Sequence, residues 1–247
     1  AAAWGVTGAV SLLSSLVDSV IDLAASTVNL LAVRHAAQPA DREHRFGHGK
    51  AEALAGLSQG VFVALSATFL VFEATRRLIE PQPIANSEVG VAVMGTSIVL
   101  TLGLVLFQRF VVRRTGSVAI SGDSLHYRGD LLVNLSVIVA LVLSAEFGWV
   151  AADPIFGFFI AAYILWGAYG ILKSSLAMLM DRELAEGDRR RIRAIALSRP
   201  EVIDVHDLRT RSSGTHAFIQ LHLEMDGELT LRAAHAIADA VMHDIER

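Results

Sequence analysis

Two aspartates inside an apolar stretch are the residues of this sequence whose types and spacing point most directly to chemistry. Asp18 and Asp22 lie four positions apart in an apolar run from about 8 to 33. That run can cross a bilayer, which takes roughly 20 residues, and the four-residue step puts both carboxyl groups on one helix face. Each carboxylate at the bilayer centre costs about 2.5–3.5 kcal/mol, so the pair requires a partner. A cation would supply it; protonated acids that join helices by hydrogen bonds are the structural alternative.

A second pair on another apolar run repeats this spacing. His126 and Asp130 are also four residues apart, and Asn134 continues the same helix face. Together with Asp18 and Asp22 they offer three carboxylates and one imidazole, a full tetrahedral set for a divalent ion. Metal binding requires deprotonated ligands, and an imidazole changes charge near neutral pH. Protons and metal would therefore compete for one set of groups, which is a means of coupling their movements.

A polar segment after the first apolar run holds a second candidate metal site. Asp41, His44 and His48 have side chains of the right type to bind a further ion. Gly47 and Gly49 indicate an irregular turn here and not a helix, so the spacing alone does not decide between a metal site and a solvated loop.

The last third of the chain holds a third candidate site, formed by histidines. His206 and His222 lie on two predicted strands at positions that a tight hairpin would bring side by side, and His235 lies on the final predicted helix. We expect these three residues to bind metal. The other histidines outside the candidate sites, namely His35, His216 and His243, are expected to be ordinary surface residues.

Composition places these candidate sites in a membrane protein. The chain has 247 residues, of which 53% are hydrophobic, more than is usual for a soluble domain of this size. It contains no cysteine, so imidazole and carboxylate must supply any transition-metal ligands. The net charge of −4 gives no indication of nucleic-acid binding.

Five apolar segments must position the first two pairs. They cover approximately residues 8–33, 51–79, 88–112, 118–146 and 154–180, and each is long enough to span a bilayer. Lys and Arg are concentrated in the loops after the first and third segments and in the tail, which predicts that these parts are cytoplasmic. Five spans that end inside must begin outside. The chain also opens on alanines without an initiator Met, and we expect one further N-terminal helix, six in the full protein.

From Asp181 onward the sequence becomes charged and amphipathic. A helix is predicted from Glu186 to about 198, strands over 202–211 and 216–225, and a second helix over 230–245. This α-β-β-α segment of about 65 residues has little material for an independent core. We expect it to depend on the membrane part, on a partner copy or on bound metal.

Taken together, these motifs resemble the bacterial zinc/iron efflux members of the cation diffusion facilitator family. The likeness covers nearly the whole chain and rests on five stretches: Leu16-Val17-Asp18-Ser19-Val20-Ile21-Asp22, Phe46-Gly47-His48-Gly49-Lys50-Ala51-Glu52, His126-Tyr127-Arg128-Gly129-Asp130, Met180-Asp181-Arg182-Glu183 and His206-Asp207-Leu208-Arg209-Thr210-Arg211.

The resemblance implies a fold, an assembly and residue roles. It implies a six-helix membrane bundle over 1–180, with the first helix reduced to a remnant here, and a small α+β ferredoxin-like cytoplasmic domain over 181–247 that lacks its last strand. The protein would work as a homodimer in the bacterial inner membrane. The resemblance assigns three metal sites, and it pairs Lys50 with Asp181 as a charge interlock between the two domains near the dimer contact. The sites are the transport site (Asp18, Asp22, His126, Asp130), the loop site (Asp41, His44, His48) and the tail site (His206, His222, His235).

The function that follows is proton-coupled export of a divalent metal and not an enzymatic reaction. Zinc is the expected ion, with Fe2+, Cd2+ and Mn2+ as further candidates. Two other classes stay open. An intramembrane aspartyl protease also uses two carboxylates, but on neighbouring helices, and peptide cleavage would reveal it. In a membrane-anchored metal sensor the helices would only hold the tail, and measured metal flux separates a sensor from a transporter.

Overall fold

The computed structural model describes the backbone of residues 10–80, 88–149, 151–214 and 216–246. Side chains are described for the same ranges except for residues 10–19, 21, 88–94 and 145. Asp18 is therefore placed by its backbone only, and its side chain lies outside the described residues.

Five long helices come first along the chain. They are α1 (Val10–Ala36), α2 (Lys50–Ile79), α3 (Glu88–Thr115), α4 (Val118–Phe147) and α5 (Ala152–Leu179). Within the described residues, four segments are long and apolar enough to cross a membrane: Lys50–Ile79, Gly95–Thr115, Val118–Ser144 and Ala152–Leu179. Each helix agrees with its predicted apolar segment to within a few residues.

Small and branched apolar side chains hold these helices together. Val63 and Ala67 of α2, Leu125 of α4, and Ile160 and Ile164 of α5 are buried in one cluster. Many large apolar side chains point outward instead, including Phe69, Phe72, Phe107 and Trp166. An apolar exterior of this kind suits lipid as the surrounding solvent, because the tails of lipids do not penalise exposed hydrocarbon.

The connection between α3 and α4 is a tight helical hairpin. Gly116 adopts a positive φ of 66°, which ends α3 without the strain that a side chain would bring. Ser117 then caps α4 by accepting a hydrogen bond from the Ile120 amide (3.2 Å). A second amide at this helix start, that of Val118, donates to the buried Glu52 carboxylate on α2 (3.0 Å). The first turn of α4 is therefore fixed by its own cap and by α2.

The C-terminal part contains α6 (Glu186–Leu197), β1 (Val202–Ser213), β2 (His216–Met225) and α7 (Leu231–Glu246). The two strands pair antiparallel, with His206 opposite His222 and Thr210 opposite Ile219. Their inner face packs on the helices through a small core that includes Ala196, Val205 and Val241. The predicted α-β-β-α order is confirmed, although β1 runs two residues further than the 202–211 expected from the sequence.

The chain divides into two compact units, residues 1–176 and 177–247. The mostly helical first unit and the second unit with its two-stranded sheet confirm the predicted fold class.

Candidate metal centre

Residues of the two pairs predicted from four-residue spacings, one pair on α1 and one on α4, come together at His126. His126 Nε2 lies 3.1 Å from Asp22 Oδ1 on α1 and 3.6 Å from Asp130 Oδ2 on its own helix. The imidazole is largely buried, with 14% of its side chain exposed, whereas the two carboxylates are 39% and 46% exposed. Three of the four residues predicted for the transport site are thus within contact distance through one ring. The fourth, Asp18, lies one turn before Asp22 on α1, and its side chain is outside the described residues.

Polar and aromatic contacts hold α1 and α4 in this register. Ser26 Oγ lies 3.1 Å from the Tyr127 hydroxyl, and the buried Asn29 donates to the Ala119 carbonyl at 3.4 Å. Phe62 of α2 contacts the His126 ring at 5.6 Å between centroids. The imidazole is therefore oriented by neighbours on both α1 and α2.

This arrangement brings together side chains of the types that bind either a cation or protons. Two carboxylate oxygens near one imidazole nitrogen, Nε2, are ligands of the kinds that first-row divalent metals accept. Without a metal, the same contacts are satisfied by protons shared between the ring and the acids. Either occupant compensates charge that the apolar surroundings would otherwise penalise.

Asp123 is a further acid near this centre that the sequence analysis did not single out. It lies on α4 one turn before His126, and Asp123 Oδ2 accepts a hydrogen bond from Gln108 Nε2 of α3 at 2.7 Å. Its other oxygen and the Gln108 carbonyl oxygen are both buried without a hydrogen-bond partner among the described residues. The sequence contains a signal for this contact. Positions 108 and 123 are nearly equidistant from Gly116, so a helical hairpin that turns at Gly116 brings them to the same level.

The loop between α1 and α2 brings its three predicted ligands together. Asp41, His44 and His48 have ligand atoms that all lie within 4.8 Å of one another, and theirs is the sole such group among the described His, Asp and Glu side chains. Asp41 and His44 are about half exposed, whereas His48 retains only 6% of its side-chain exposure. Gly47 has a positive φ of 77°, which makes the irregular turn predicted for this segment.

The Asp41 side chain holds the turn of the loop by accepting hydrogen bonds from backbone amides. Its Oδ1 accepts hydrogen bonds from the amides of His44 (2.6 Å) and Glu43 (2.9 Å). These bonds, that from His44 above all, lower the pKa of the Asp41 carboxyl below its ordinary value. The carboxylate is thus charged and directed at the two histidines before any ion arrives.

A fourth histidine lies beside this group. The ring of His35, on the last turn of α1, contacts that of His48 edge to face with 4.6 Å between centroids. His44 contacts the same His48 ring at 4.5 Å. His35 is not recognisable as part of this group from the sequence, because nothing in its spacing from position 48 shows that the loop folds back onto the end of α1.

In the C-terminal unit, the hairpin places His206 and His222 side by side as predicted. They are cross-strand partners with ring centroids 5.3 Å apart. His235 on α7 lies 3.5 Å from Asp239 of its own helix. Among the described side chains, these three histidines do not form a group as close as that of the loop.

The two residues expected to form a charge interlock lie in different compact units. Lys50 is the first residue of α2. Asp181 follows α5 with a positive φ of 53°, and its carboxylate lies 3.5 Å from Arg211 Nη1. Arg211 in turn covers the Phe218 ring at 5.0 Å. Asp181 is thus held at a defined position on the second unit by β1.

Comparison with known proteins agrees with the architecture and with the motifs. The model of the cation efflux transmembrane domain matches residues 1–180, and that of the cytoplasmic domain of cation efflux proteins matches residues 184–247. The cation-efflux pump FieF of Shewanella oneidensis is 48% identical over 237 residues, which cover 96% of this chain and 80% of that protein. FieF of Klebsiella pneumoniae is 48% identical over 245 residues, covering 99% of this chain and 81% of the relative. The chain therefore belongs to the cation efflux, or cation diffusion facilitator, family of multi-pass membrane transporters, as its motifs predicted.

Proposed function

We propose that this protein exports divalent metal ions in exchange for protons, with Zn2+ as its main substrate. The observation that carries the proposal is the contact of His126 with both Asp22 and Asp130, where His126 and Asp130 lie on α4, a helix long and apolar enough to span a membrane. The relatives named cation-efflux pumps support efflux as the direction of transport.

Proton coupling follows from the ligand chemistry. Asp22, His126 and Asp130, joined by Asp18, take a metal ion from the cytoplasmic side in their deprotonated forms. Helix movement then turns the centre toward the other side, where protons replace the metal. Buried charge stays nearly balanced in both states, so neither requires an unpaired carboxylate in the membrane.

The zinc preference rests on the mixture of ligands. An imidazole with carboxylates suits zinc, iron, manganese and cadmium better than it suits magnesium or calcium, which prefer oxygen alone. Zinc accepts a four-ligand tetrahedral shell without a penalty from its d electrons. Fe2+, Cd2+ and Mn2+ are secondary substrates on the same grounds.

We also propose roles for the two domains, a homodimeric assembly and regulatory metal sites. Residues 1–180 are the transport domain and 181–247 a cytoplasmic regulatory domain, with the protein a homodimer in the bacterial inner membrane. The loop site and the tail site (His206, His222, His235) bind regulatory metal, and Lys50 and Asp181 join the domains near the dimer contact. Family membership and the cytoplasmic-domain match support these roles. Bound metal biases the conformational equilibrium only by its differential affinity for the two states.

The direct test is zinc/proton exchange by the full-length protein in sealed vesicles. Asp22→Ala and Asp130→Ala should each abolish zinc-driven proton movement. Asp153→Asn is the matched control, because Asp153 is a carboxylate of the same helical unit that pairs with Arg77 (3.0 Å) and not with His126. Unchanged exchange in both Ala variants would refute the site. Zinc binding without flux in the parent protein would favour the membrane-anchored sensor instead.

A further inference from the structure

We propose that His35 is a fourth protein ligand of the loop site, so that one zinc-class ion is enclosed by Asp41, His44, His48 and His35. This inference rests on the loop site proposed above and extends it by one residue. With four protein ligands the ion has no free coordination position, whereas three ligands would leave one position open.

The geometry that carries it is the arrangement of two histidine rings around that of His48. His35 and His44 contact that ring at nearly equal centroid distances, 4.6 and 4.5 Å. Imidazoles that share one tetrahedral zinc ion have ring centroids about 5 Å apart, because each nitrogen lies about 2.0–2.1 Å from the metal. Both ring pairs are therefore within about 1 Å of the spacing that one ion would require. Asp41 completes the set, with its Oδ2 at 3.4 Å from His48 Nε2.

A second observation concerns the buried side of the His48 ring. His48 Nδ1 is inaccessible and has no hydrogen-bond partner among the described residues. His48 Nε2 faces Asp41 Oδ2 at 3.4 Å and is the nitrogen that would bind the ion, so the buried Nδ1 on the other side of the ring needs a partner of its own, such as a water molecule. The ring contacted by both neighbouring histidines is thus also the one whose hydrogen-bonding capacity is unmet.

We expect His35 to join the group by a rotation of its side chain. Its nitrogens lie outside the 4.8 Å group that Asp41, His44 and His48 already form. His35 is exposed and lies on the last turn of α1, so its ring can change rotamer freely on a fast timescale. An arriving ion would select the rotamer that directs a nitrogen inward.

The ligand types and their number determine which metals the site prefers and how readily the bound ion exchanges. Three imidazoles and one carboxylate favour zinc, cobalt, nickel or copper over magnesium, calcium and manganese. Four protein ligands leave no open coordination position, as in structural and not catalytic zinc sites. The ion would therefore stay in place and tie the end of α1 to the start of α2, while the carboxylate-rich centre at His126 exchanges its ion.

The experiment uses the full-length protein with the other sites removed, in an Asp22→Asn, Asp130→Asn, His206→Ala, His222→Ala background. Zinc affinity is measured by competition with a chromogenic chelator, and coordination by the visible absorption of bound Co2+. His35→Ala and the size-retaining His35→Gln should each weaken zinc binding by about tenfold or more. In both variants the visible absorption of bound Co2+ should be weaker than the intense absorption that four-coordinate cobalt gives in the parent. His243→Ala, at an exposed histidine of α7, is the matched control and should change neither.

The outcomes separate the inference from the proposal beneath it. Loss of binding in Asp41→Ala and His44→Ala with no change in either His35 variant would overturn the fourth ligand and leave the loop site standing. Weaker zinc affinity of the His35 variants with an unchanged cobalt spectrum would show that His35 acts indirectly, through His48. That result would also overturn the inference that His35 is a ligand. No effect of any of these changes would refute the loop site itself. Circular dichroism of each variant verifies that its helices remain folded.

Discussion

His126 Nε2 lies 3.1 Å from Asp22 Oδ1, although 104 residues separate them along the chain. The contact joins α1 to α4, and α4 is long and apolar enough to cross a membrane. A side chain that can carry a proton or give a nitrogen to a metal is thus the physical link between the two halves of the centre. Its removal should affect transport more than folding.

We therefore predict that His126→Ala lowers the rate of zinc transport by at least about tenfold, since loss of a metal-site residue commonly weakens binding by that amount or more. Asp22 and Asp130 would remain as carboxylates without the ring between them, so the dependence of transport on proton concentration should weaken as well. Zinc uptake into vesicles at several pH values measures both effects. His243→Ala supplies the control, and a parental pH profile in His126→Ala would contradict the proposed coupling.

The turn at Asp41 should resist acid. Because the pKa of this carboxyl is lowered by the His44 amide from an ordinary value of 3.8, its bonds contribute fully above that value. The contribution is lost only as the pH falls through the lower folded pKa. The protection factors of the Glu43 and His44 amides, measured relative to the intrinsic exchange rate at each pH, should thus stay constant down to about pH 3.8. A fall in protection well above that pH would contradict the prediction.

A pair of substitutions separates the charge of Asp41 from its role in the turn. Asp41→Asn keeps an oxygen that can accept the two amide hydrogen bonds, so the turn should persist while the metal affinity of the loop falls. Asp41→Ala should lose both. Calorimetric zinc titration and amide exchange report the two properties separately, and equal behaviour of the two variants would contradict this division.

Gln108 should stabilise the membrane part by holding Asp123. Gln108→Leu would leave the Asp123 carboxylate without its hydrogen bond of 2.7 Å. Leaving a buried polar group unsatisfied costs about 1–3 kcal/mol, so the free energy of unfolding in detergent should drop by that amount. Asp123→Asn is the matched change, because its amide oxygen can still accept from Gln108. It should cost less, and a larger loss in Asp123→Asn would show that charge and not hydrogen bonding stabilises this pair.

Close packing makes Gly56 sensitive to any side chain. A Cβ at this position would lie 2.8 Å from Ser175 Oγ and 2.9 Å from Val118 Cγ1. Val118 is β-branched and has little freedom to move aside, so we expect Gly56→Ala to destabilise the protein by about 1–3 kcal/mol. Gly170→Ala should be neutral or slightly stabilising, because a Cβ there meets nothing within 4 Å. Thermal unfolding of the two variants in one detergent compares them directly.

The sequence predicted the helices and most of the centre because both depend on local periodicity. Asp22 and the His126–Asp130 pair were found from four-residue steps inside apolar runs, where charge is costly enough to demand an explanation. The cross-strand partnership of His206 and His222 followed in the same way from the period of two on each side of a short turn.

Contacts that depend on how helices rotate against each other, or on how a loop returns, could not be predicted in this way. His35 comes next to His48 only because the intervening turn folds back at Asp41 and Gly47. Asp123 was overlooked because its contact with Gln108 depends on how α3 and α4 are rotated against each other after the Gly116 turn. Such pairings depend on packing, and a single sequence carries little information about it.

The bond from the Val118 amide to Glu52 has a mechanical consequence. It ties the first turn of α4 to the first turn of α2 at 3.0 Å, while α1 contacts α4 through polar groups such as Ser26 and Tyr127. The first turns of α2 and α4 should therefore move together when the helices shift against one another. Binding and release of an ion at His126 would then depend on the distance between α1, which carries Asp22, and α4.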